Sequence, residues 1–191
     1  MYYKRMARQL DPLAEIPLSA ADAEFRDEVR TWLDEHLVGD FAGQAHRGGP
    51  DDDDNWELRR AWEAELARGG WLGLSWPREY GGREATLSQE IVFAMEYARA
   101  DAPPRAAFHG ETLMAPALLA HGTEEQKQRF LPPMTRAEVV WCQGYSEPGA
   151  GSDLANVSCR AHRDGDEWVV SGEKIWTTFA HHADWIFAIV R

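Results

Sequence analysis

The chain has 191 residues, 44% of them apolar, with nine tryptophans and a formal net charge of −12. This composition excludes a disordered chain, and the length allows one ordinary domain or two small ones around a sizeable core. The negative charge argues against binding to nucleic acid and to anionic membrane surfaces, because both attract positive charge.

The first part of the chain predicts three helices. Apolar residues recur on one face over residues 22–37, where Ser19 provides a weak N-terminal cap. Asn55 can cap a second helix, which the glycines after Arg68 end, and a capping box at Thr86 opens a third. The polar segment 39–54, with four consecutive aspartates, predicts a solvated loop between the first two helices.

Two further helices are predicted before the pattern changes. Residues 70–82 are too rich in glycine and proline for a regular helix, whereas residues 111–121 predict a helix that ends at Gly122. Thr123 then starts a capping box, and we expect its helix to end near Phe130 because two prolines follow.

The last part of the chain predicts strands. Residues 157–161 alternate between buried and exposed types, and a turn at 164–166 leads into a second run at 168–170, which together predict a β-hairpin. The runs KIWTTF (174–179) and DWIFAIV (184–190) are also strand-like. The predicted fold class is therefore α+β. An N-terminal all-α helical domain (1–137) is followed by the beginning of a β-barrel or sandwich middle domain (138–191).

The stretch WCQGYSEPGAGSD (141–153) combines a proline, which restricts the backbone, with glycines, which leave the backbone without side chains, and with hydroxyl residues. The residue before Pro148 is pushed towards an extended conformation, so the strand should end there in a corner. Gly149 and Gly151 allow backbone N–H groups to approach an anionic or planar ligand, and Ser152 adds a hydroxyl. The lysine of a Walker-type phosphate loop is missing. A tight loop without a ligand remains the alternative.

The run KIWTTF adds a second set of candidate binding groups. In a strand, Trp176 and Thr178 would share one face, so an indole would lie beside a hydroxyl. Cys142, Gly144 and Ser146 would likewise share a face on which small residues leave room. Such a surface suits a flat heteroaromatic ligand, although Trp176 as a core residue is the alternative.

Two motifs together carry a resemblance to a known family. SEPGAGSD (146–153) and GEKIWTT (172–178) resemble the acyl-CoA dehydrogenase pattern of Thr-Glu-Pro, two residues, Gly-Ser-Asp, and then Gly-x-Lys-x-Trp-x-Thr. SWPREYGG (75–82) and the helices before it are similar to the family's N-terminal domain. The resemblance covers essentially the whole chain. It implies FAD bound between the β-domain and a C-terminal helical bundle, and that bundle is absent from this chain.

The resemblance also implies which residues contact the cofactor. Ser146 replaces the family threonine but keeps a hydroxyl for the flavin pyrimidine edge, Trp176 packs on the isoalloxazine, and Thr178 bonds near N5. Ser152 lies near the FAD phosphates and faces the thioester-bearing arm of the acyl-CoA, which makes it the substrate-binding candidate. The implied cofactor-binding set is Gln143, Tyr145, Ser146, Gly151, Ser152, Trp176, Thr177 and Thr178.

The implied reaction is FAD-dependent α,β-dehydrogenation of an acyl-CoA thioester to the 2-enoyl-CoA. In the family the catalytic glutamate comes from the C-terminal helical domain, so the base is unassigned here, and Glu147 and Glu173 match structural positions. We therefore expect this chain alone to be inactive. The implied partners are an electron-transfer flavoprotein or similar acceptor and the other subunits of a homo- or heterotetramer.

Several alternatives stay open. The chain stops within a strand-like run, which indicates part of a longer protein, and the same scaffold could serve as a non-catalytic partner subunit or truncated binding module. An oxygen-using relative, such as an acyl-CoA oxidase or a flavin monooxygenase, is a further enzyme alternative. His109 could touch substrate but suits a core or capping role better. No metal is expected, because His181 and His182 would point to opposite faces of a strand.

The compartment follows from what the sequence lacks. No apolar run approaches the roughly 20 residues needed to span a bilayer, and the N-terminus MYYKRMARQLDP lacks the apolar core of a secretory signal. Cys142 and Cys159 have neither metal-ligand spacing nor the density of a disulfide scaffold. We therefore predict a cytoplasmic protein.

Overall fold

The computed structural model describes residues 17–44 and 55–191. The predicted signal-free N-terminus and most of the predicted polar loop, residues 45–54, lie outside this part. In chain order the elements are α1 (Ala20–His36), α2 (Trp56–Arg68), α3 (Leu87–Arg99), α4 (Ala115–His121), α5 (Glu124–Thr135), β1 (Trp141–Gly144), β2 (Arg160–Asp164), β3 (Glu167–Ser171) and β4 (Trp185–Ala188). The described residues also contain three short 3₁₀ turns, at Gly39–Phe41, Arg78–Tyr80 and Leu154–Asn156, and a π-turn at Gly110–Met114.

The predicted helix starts are confirmed at the caps. The Ser19 hydroxyl accepts a hydrogen bond from the Asp22 N–H at 3.1 Å. At α3 the Thr86 hydroxyl accepts from the Gln89 N–H, and the Gln89 side chain accepts from the Thr86 N–H, which is a complete capping box. Thr123 forms the same box at the start of α5. The helix after Asn55 begins without a side-chain capping bond.

The predicted end of α5 near Phe130 is wrong, because the helix continues through Pro132 and Pro133 to Thr135. Prolines remove two internal hydrogen bonds. The buried residues Leu131 and Met134 offset this loss, since both belong to the core. The carbonyls of the two prolines also find donors in the N–H groups of residues 136 and 138, at 3.2 and 3.0 Å.

Helices α1, α2 and α3 close around one apolar cluster. α1 packs along α3, and Trp71, Leu72 and Leu74 belong to the same cluster. The most deeply buried members are Val29, Leu33, Trp62, Leu66 and Trp71, each no more than 1% exposed. The polar group of the buried Trp62 has a partner, because its Nε1 donates a hydrogen bond to the Tyr97 hydroxyl at 2.6 Å.

Two smaller clusters join the helices to the strands. In one, Trp141 of β1 and Phe187 of β4 pack with Leu131 and Met134 of α5. In the other, Trp56 at the start of α2 packs with Val140 and Phe179. The strand region is therefore positioned by the ends of α2 and α5.

The strands form two separate pairs in the described residues. β1 and β4 are parallel, with Trp141 opposite Trp185 and Gly144 opposite Ala188. β2 and β3 form the predicted antiparallel hairpin, with Arg160 opposite Ser171 and a turn at Gly165. None of the described helices is both long and apolar enough to cross a membrane.

The predicted strand at residues 174–179 is wrong. After one bridging hydrogen bond at Ile175 the chain enters turns, with Trp176 and Phe179 at φ values of 54° and 63°. Left-handed residues interrupt the pleat, so alternate side chains no longer share a face. The argument that placed Trp176 and Thr178 on one strand face therefore does not hold.

Candidate functional site

The segments 145–147 and 174–175, which belong to the two sequence motifs, are fastened to each other. The Ile175 N–H donates to the Ser146 carbonyl at 2.9 Å. The Lys174 ammonium donates to the Glu147 carboxylate at 2.8 Å, to the Tyr145 carbonyl at 3.0 Å and to the Ile189 carbonyl at 2.7 Å. A single side chain therefore ties the end of β1 to the end of β4 and to the segment that carries Trp176.

Glu147 is the acceptor at the centre of this arrangement. Its side chain is 2% exposed, and its carboxylate also accepts from the Ser158 N–H and hydroxyl at 2.6 and 2.7 Å and from the Cys159 N–H at 3.0 Å. The hydrogen bond from Lys174, followed by those from Ser158, lowers the pKa of Glu147 far below its usual range. Glu147 is thus ionised near neutral pH and fixes the loop, in agreement with its predicted structural role.

The glycine loop after Glu147 has free space beside its backbone. Glu147 and Ala150 exchange backbone hydrogen bonds at 2.8 and 3.0 Å, so the chain turns sharply at Pro148 and Gly149. A Cβ built on Gly149 or Gly151 would meet no atom of the described chain within 4 Å. Ser152 is exposed next to them. Backbone and hydroxyl groups here are accessible to a ligand.

Trp176 is not a core residue. Its side chain is 81% exposed, and its backbone is left-handed, a conformation that costs a non-glycine residue roughly 1–2 kcal/mol. Packing within the described chain therefore does not explain why a tryptophan occupies this position. An exposed indole on a strained backbone is typical of a residue that a ligand covers.

The predicted hydroxyls lie near Trp176 along the chain and are not engaged elsewhere. In the described part of the molecule no hydrogen bond involves the side-chain oxygens of Ser146, Thr177 or Thr178, all three of which are half-buried. Ser146 is brought to the Trp176 segment by its carbonyl contact with Ile175, and not by a shared strand face. These groups can still donate to, or accept from, a polar ligand.

The first strand differs from the prediction at Gly144. A Cβ there would lie 2.8 Å from Cδ1 of Ile186, so the room beside this glycine is taken by the neighbouring strand and not left for a ligand. Gln143 is half-buried between the buried Cys142 and Gly144. The Tyr145 ring packs edge-on against Phe187 at 5.7 Å. Contacts of Gln143 and Tyr145 with a cofactor stay predictions.

The histidines lie in a different arrangement from the predicted one. His181 and His182 belong to turns, so the argument from opposite strand faces is wrong, and the His182 ring stacks on Trp56 with centroids 4.0 Å apart. No group of three or more histidine, cysteine or acidic side chains in the described chain could hold a metal. His109 is buried, as a core histidine would be, and burial lowers its pKa.

Lys174 is the functional residue that the sequence reasoning missed. Its position inside GEKIWTT was visible, and so was the acidic Glu147 inside SEPGAGSD. Opposite charges in two motifs that were expected to meet could have predicted the pair, which spans 27 residues of sequence.

The fold is a helical domain followed by the start of a β-domain in which the two motifs are joined, and comparison with known proteins identifies its family. Residues 19–138 match the family model for the acyl-CoA dehydrogenase N-terminal domain, and residues 142–191 match the model for the acyl-CoA dehydrogenase middle domain. The chain therefore belongs to the acyl-CoA dehydrogenase family. It comprises a helical N-terminal domain and the start of the middle β-domain.

Individual relatives agree with this assignment. The chain is 48% identical over 169 residues to acyl-CoA dehydrogenase IpdE1 of Mycobacterium tuberculosis, covering 88% of this chain and 44% of that protein. The ChsE4–ChsE5 complex of the same organism is 35% identical with a TM-score of 0.76, covering 93% of this chain and 44% of that one. A glutaryl-CoA dehydrogenase of Mycobacterium smegmatis in complex with FADH2 is 25% identical with a TM-score of 0.64, covering 91% and 42%. The chain thus spans less than half the length of these relatives.

Proposed function

We propose that the protein to which these residues belong catalyses the FAD-dependent α,β-dehydrogenation of an acyl-CoA thioester to the 2-enoyl-CoA. The observation that carries this proposal is the pair of contacts, Ile175 to Ser146 and Lys174 to Glu147, that joins the two motifs. They hold an exposed indole and several unengaged hydroxyls in neighbouring segments. The membership of the chain in the acyl-CoA dehydrogenase family supports the reaction class.

The residues present fit a flavin cofactor. The exposed face of Trp176 suits packing against the isoalloxazine, and the hydroxyls of Ser146, Thr177 and Thr178 suit its polar edge. The open backbone beside Gly151, with Ser152, suits the phosphates. FAD, when bound, supplies the acceptor for the hydride that leaves the β-carbon. The FADH2-bound glutaryl-CoA dehydrogenase is similar over most of this chain, which supports the assignment.

The roles of the chain's own residues follow from this placement. Hydroxyls of Ser146 and Thr178 at the cofactor edge would stabilise negative charge that arrives during the reaction. Ser152 would also orient the thioester-bearing arm of the substrate. Glu147 does not remove the α-proton, because a base needs a pKa near the working pH and this carboxylate is held as an anion by Lys174 and Ser158. The base therefore comes from elsewhere in the protein.

The proposed partners follow the family. The reduced enzyme would pass its electrons to an electron-transfer flavoprotein or a similar acceptor, and the protein would assemble as a homo- or heterotetramer. The ChsE4–ChsE5 structure, a complex of two different proteins, supports a heteromeric assembly.

The decisive experiment measures flavin content and reaction together. We would express the complete natural reading frame that contains these residues, record the visible flavin spectrum, and follow dye reduction with straight-chain, branched and polycyclic acyl-CoA thioesters. A protein that stays colourless after addition of FAD and reduces no dye with any of them would contradict the proposal.

A matched pair of tryptophan variants tests the site itself. Trp176→Ala should weaken FAD binding by about 10-fold or more, because ring packing is worth more than 1 kcal/mol when area burial is included. Trp168→Ala is the control, since Trp168 is 68% exposed on β3 outside both motifs. Equal loss of flavin from both variants would mean that Trp176 has no particular role in binding.

The second candidate function is that of a non-catalytic subunit in a two-component enzyme. The similarity to the ChsE4–ChsE5 complex favours it. In that case the purified protein would bind acyl-CoA or FAD weakly and become active only when co-expressed with a second family member. Full dye reduction by the protein alone excludes this candidate.

A further inference from the structure

His109 carries a buried polar atom for which the fold provides no partner. The side chain is 8% exposed, and in the described part of the chain its Nδ1 is buried without a hydrogen bond. An unpaired polar atom in the interior is unfavourable, so native proteins rarely keep one without a reason. From the sequence, a core or capping role for His109 is favoured over contact with substrate.

The surroundings of the imidazole are aromatic and adjoin the second motif. The Phe108 ring lies 4.0 Å away between centroids, and Phe179 meets the imidazole edge-on at 6.1 Å. Phe179 directly follows Thr177 and Thr178, two of the predicted cofactor contacts. The imidazole thus lies among aromatic rings, next to the segment that would hold the flavin.

The backbone beside His109 is held firmly from two sides. His109 precedes the π-turn Gly110–Met114, a local geometry that occurs frequently at functional sites. Glu111 in this turn accepts from the Gly73 N–H at 2.8 Å and from Arg105. A Cβ on Gly110 would lie 3.0 Å from Cδ1 of Trp141, so the turn is packed closely on β1. These contacts hold the backbone next to His109 in place.

We propose that His109 is a specificity-determining residue, which forms a hydrogen bond through Nδ1 to an oxygen atom carried by the acyl group of the substrate. The inference rests on the proposed function. It names the substrate class as acyl-CoA thioesters with a hydroxyl or carbonyl group on the acyl moiety, in preference to purely hydrocarbon acyl groups.

The chemistry of the imidazole suits this role. A neutral histidine offers a donor on one nitrogen and an acceptor on the other, so Nδ1 can pair with either a carbonyl or a hydroxyl. Burial lowers the pKa of His109, which keeps the ring neutral near neutral pH. A hydrocarbon chain would leave the nitrogen unpaired in the complex, and sites built to bond a polar group discriminate strongly against ligands that lack it.

The experiment uses the full-length holoenzyme and pairs of acyl-CoA thioesters that share a carbon skeleton and differ by one ketone or hydroxyl, placed at successive positions along the acyl group. The wild-type kcat/KM should favour the oxygenated member of at least one pair by about 10-fold or more. His109→Phe keeps a ring without nitrogen, and its preference for the oxygenated member should fall to near one. His109→Asn places a polar atom near the position of Nδ1 and should retain part of the preference.

A second readout does not depend on turnover. The perturbation of the flavin spectrum on adding an acyl-CoA that lacks an abstractable α-proton gives Kd, and the same selectivity should appear there. Wild-type enzyme that treats every pair alike, or His109→Phe and His109→Asn variants that both keep the wild-type preference, would overturn the proposal and leave Nδ1 to a bound water. If His109→Phe fails to fold, the wild-type preference and the Asn variant still decide. Absence of flavin or of any dehydrogenation, by contrast, counts against the proposed function.

Discussion

The helical region and the strand region differ in the exposure of several of their tryptophans. In the helical region Trp62 and Trp71 are at most 1% exposed, and their rings build the core. In the strand region Trp168 and Trp176 are 68% and 81% exposed. Trp62 and Trp71 are thus packing elements, and so is the buried Trp141 of β1, whereas Trp168 and Trp176 present broad apolar surfaces. The exposure of Trp176 agrees with the cofactor site that we propose in the strand region.

The buried charges show the same contrast. Glu63, which is fully buried, accepts from Arg105 and from the Ala106 N–H, and this pairing ties α2 to the segment before the π-turn. Glu147 and Lys174 tie two motif segments to each other. The first pair stabilises a packed domain, whereas the second positions a loop that we propose binds a ligand.

The largest difference between the two regions is expected in the free energy of unfolding when one tryptophan of each is replaced. Trp62→Ala should lower the free energy of unfolding by about 4 kcal/mol, because it creates a core cavity and removes the donor to Tyr97. Trp176→Ala should change it by less than about 0.5 kcal/mol, since the side chain is 81% exposed. Urea unfolding followed by circular dichroism measures both. A loss of similar size at both positions would erase the distinction between packing and binding tryptophans.

The next largest effect is expected from removing a buried charge in the helical region. Glu63→Gln should cost about 3 kcal/mol, because it leaves Arg105 buried with one partner fewer. Glu138→Gln is the control, since the pair that Glu138 makes with Arg136 is about half exposed on both sides and should be worth less than about 1 kcal/mol. Both are read from urea midpoints at constant pH. If the two variants unfold alike, the buried pair does not stabilise the helical region.

Sequence reasoning succeeded where local chemistry decides the outcome. The capping boxes at Thr86 and Thr123 place their helix starts correctly, because the cap and its partner lie three residues apart. It failed at the end of α5, where tertiary packing of Leu131 and Met134 overrides the two prolines. Local signals therefore predict helix starts well, and they miss an end that depends on distant contacts.

The candidate site shows the same limit. The motifs indicated which residues to expect, but the period-two pattern wrongly predicted a strand through Trp176. A left-handed backbone at a tryptophan has no local sequence signal, and the residues before it, Lys174 and Ile175, contact the distant residues Tyr145 and Ser146 just after β1. The His109 imidazole also meets the ring of Phe179, 70 positions away, and this contact has no signal in the residues around His109.

Acid should act on the strand region through Glu147. Because the pKa of this carboxyl is lowered in the folded protein, its contribution to stability is complete above the unfolded value of about 4.3 and is lost as the pH falls below it. Lys174→Met removes the main cause of the lowered pKa, so it should reduce stability at neutral pH and make the loss on acidification shallower. Urea unfolding at a series of pH values tests this.

Lys127→Met is the control, because its partner Glu124 is largely exposed and a smaller change in the pH dependence of stability is expected. An unchanged pH slope for Lys174→Met would mean that the pair does not fasten the two motifs.

The smallest effect is expected from removing the cap of one helix, and it tests how much a local hydrogen bond stabilises the helical region. Thr86→Ala removes the hydroxyl that caps α3 and should cost about 1 kcal/mol. Thr31→Ala is the same chemical change on the exposed face of α1, where the hydroxyl donates back to the Asp27 carbonyl. That variant should be neutral or slightly stabilising, because alanine is the better helix former and the back-bond contributes little. Differential scanning calorimetry of both variants should therefore show melting temperatures that move in opposite directions or differ clearly. Equal losses of melting temperature would indicate that both threonines act through packing. The start of α3 at Thr86 would then not depend on the capping hydrogen bond.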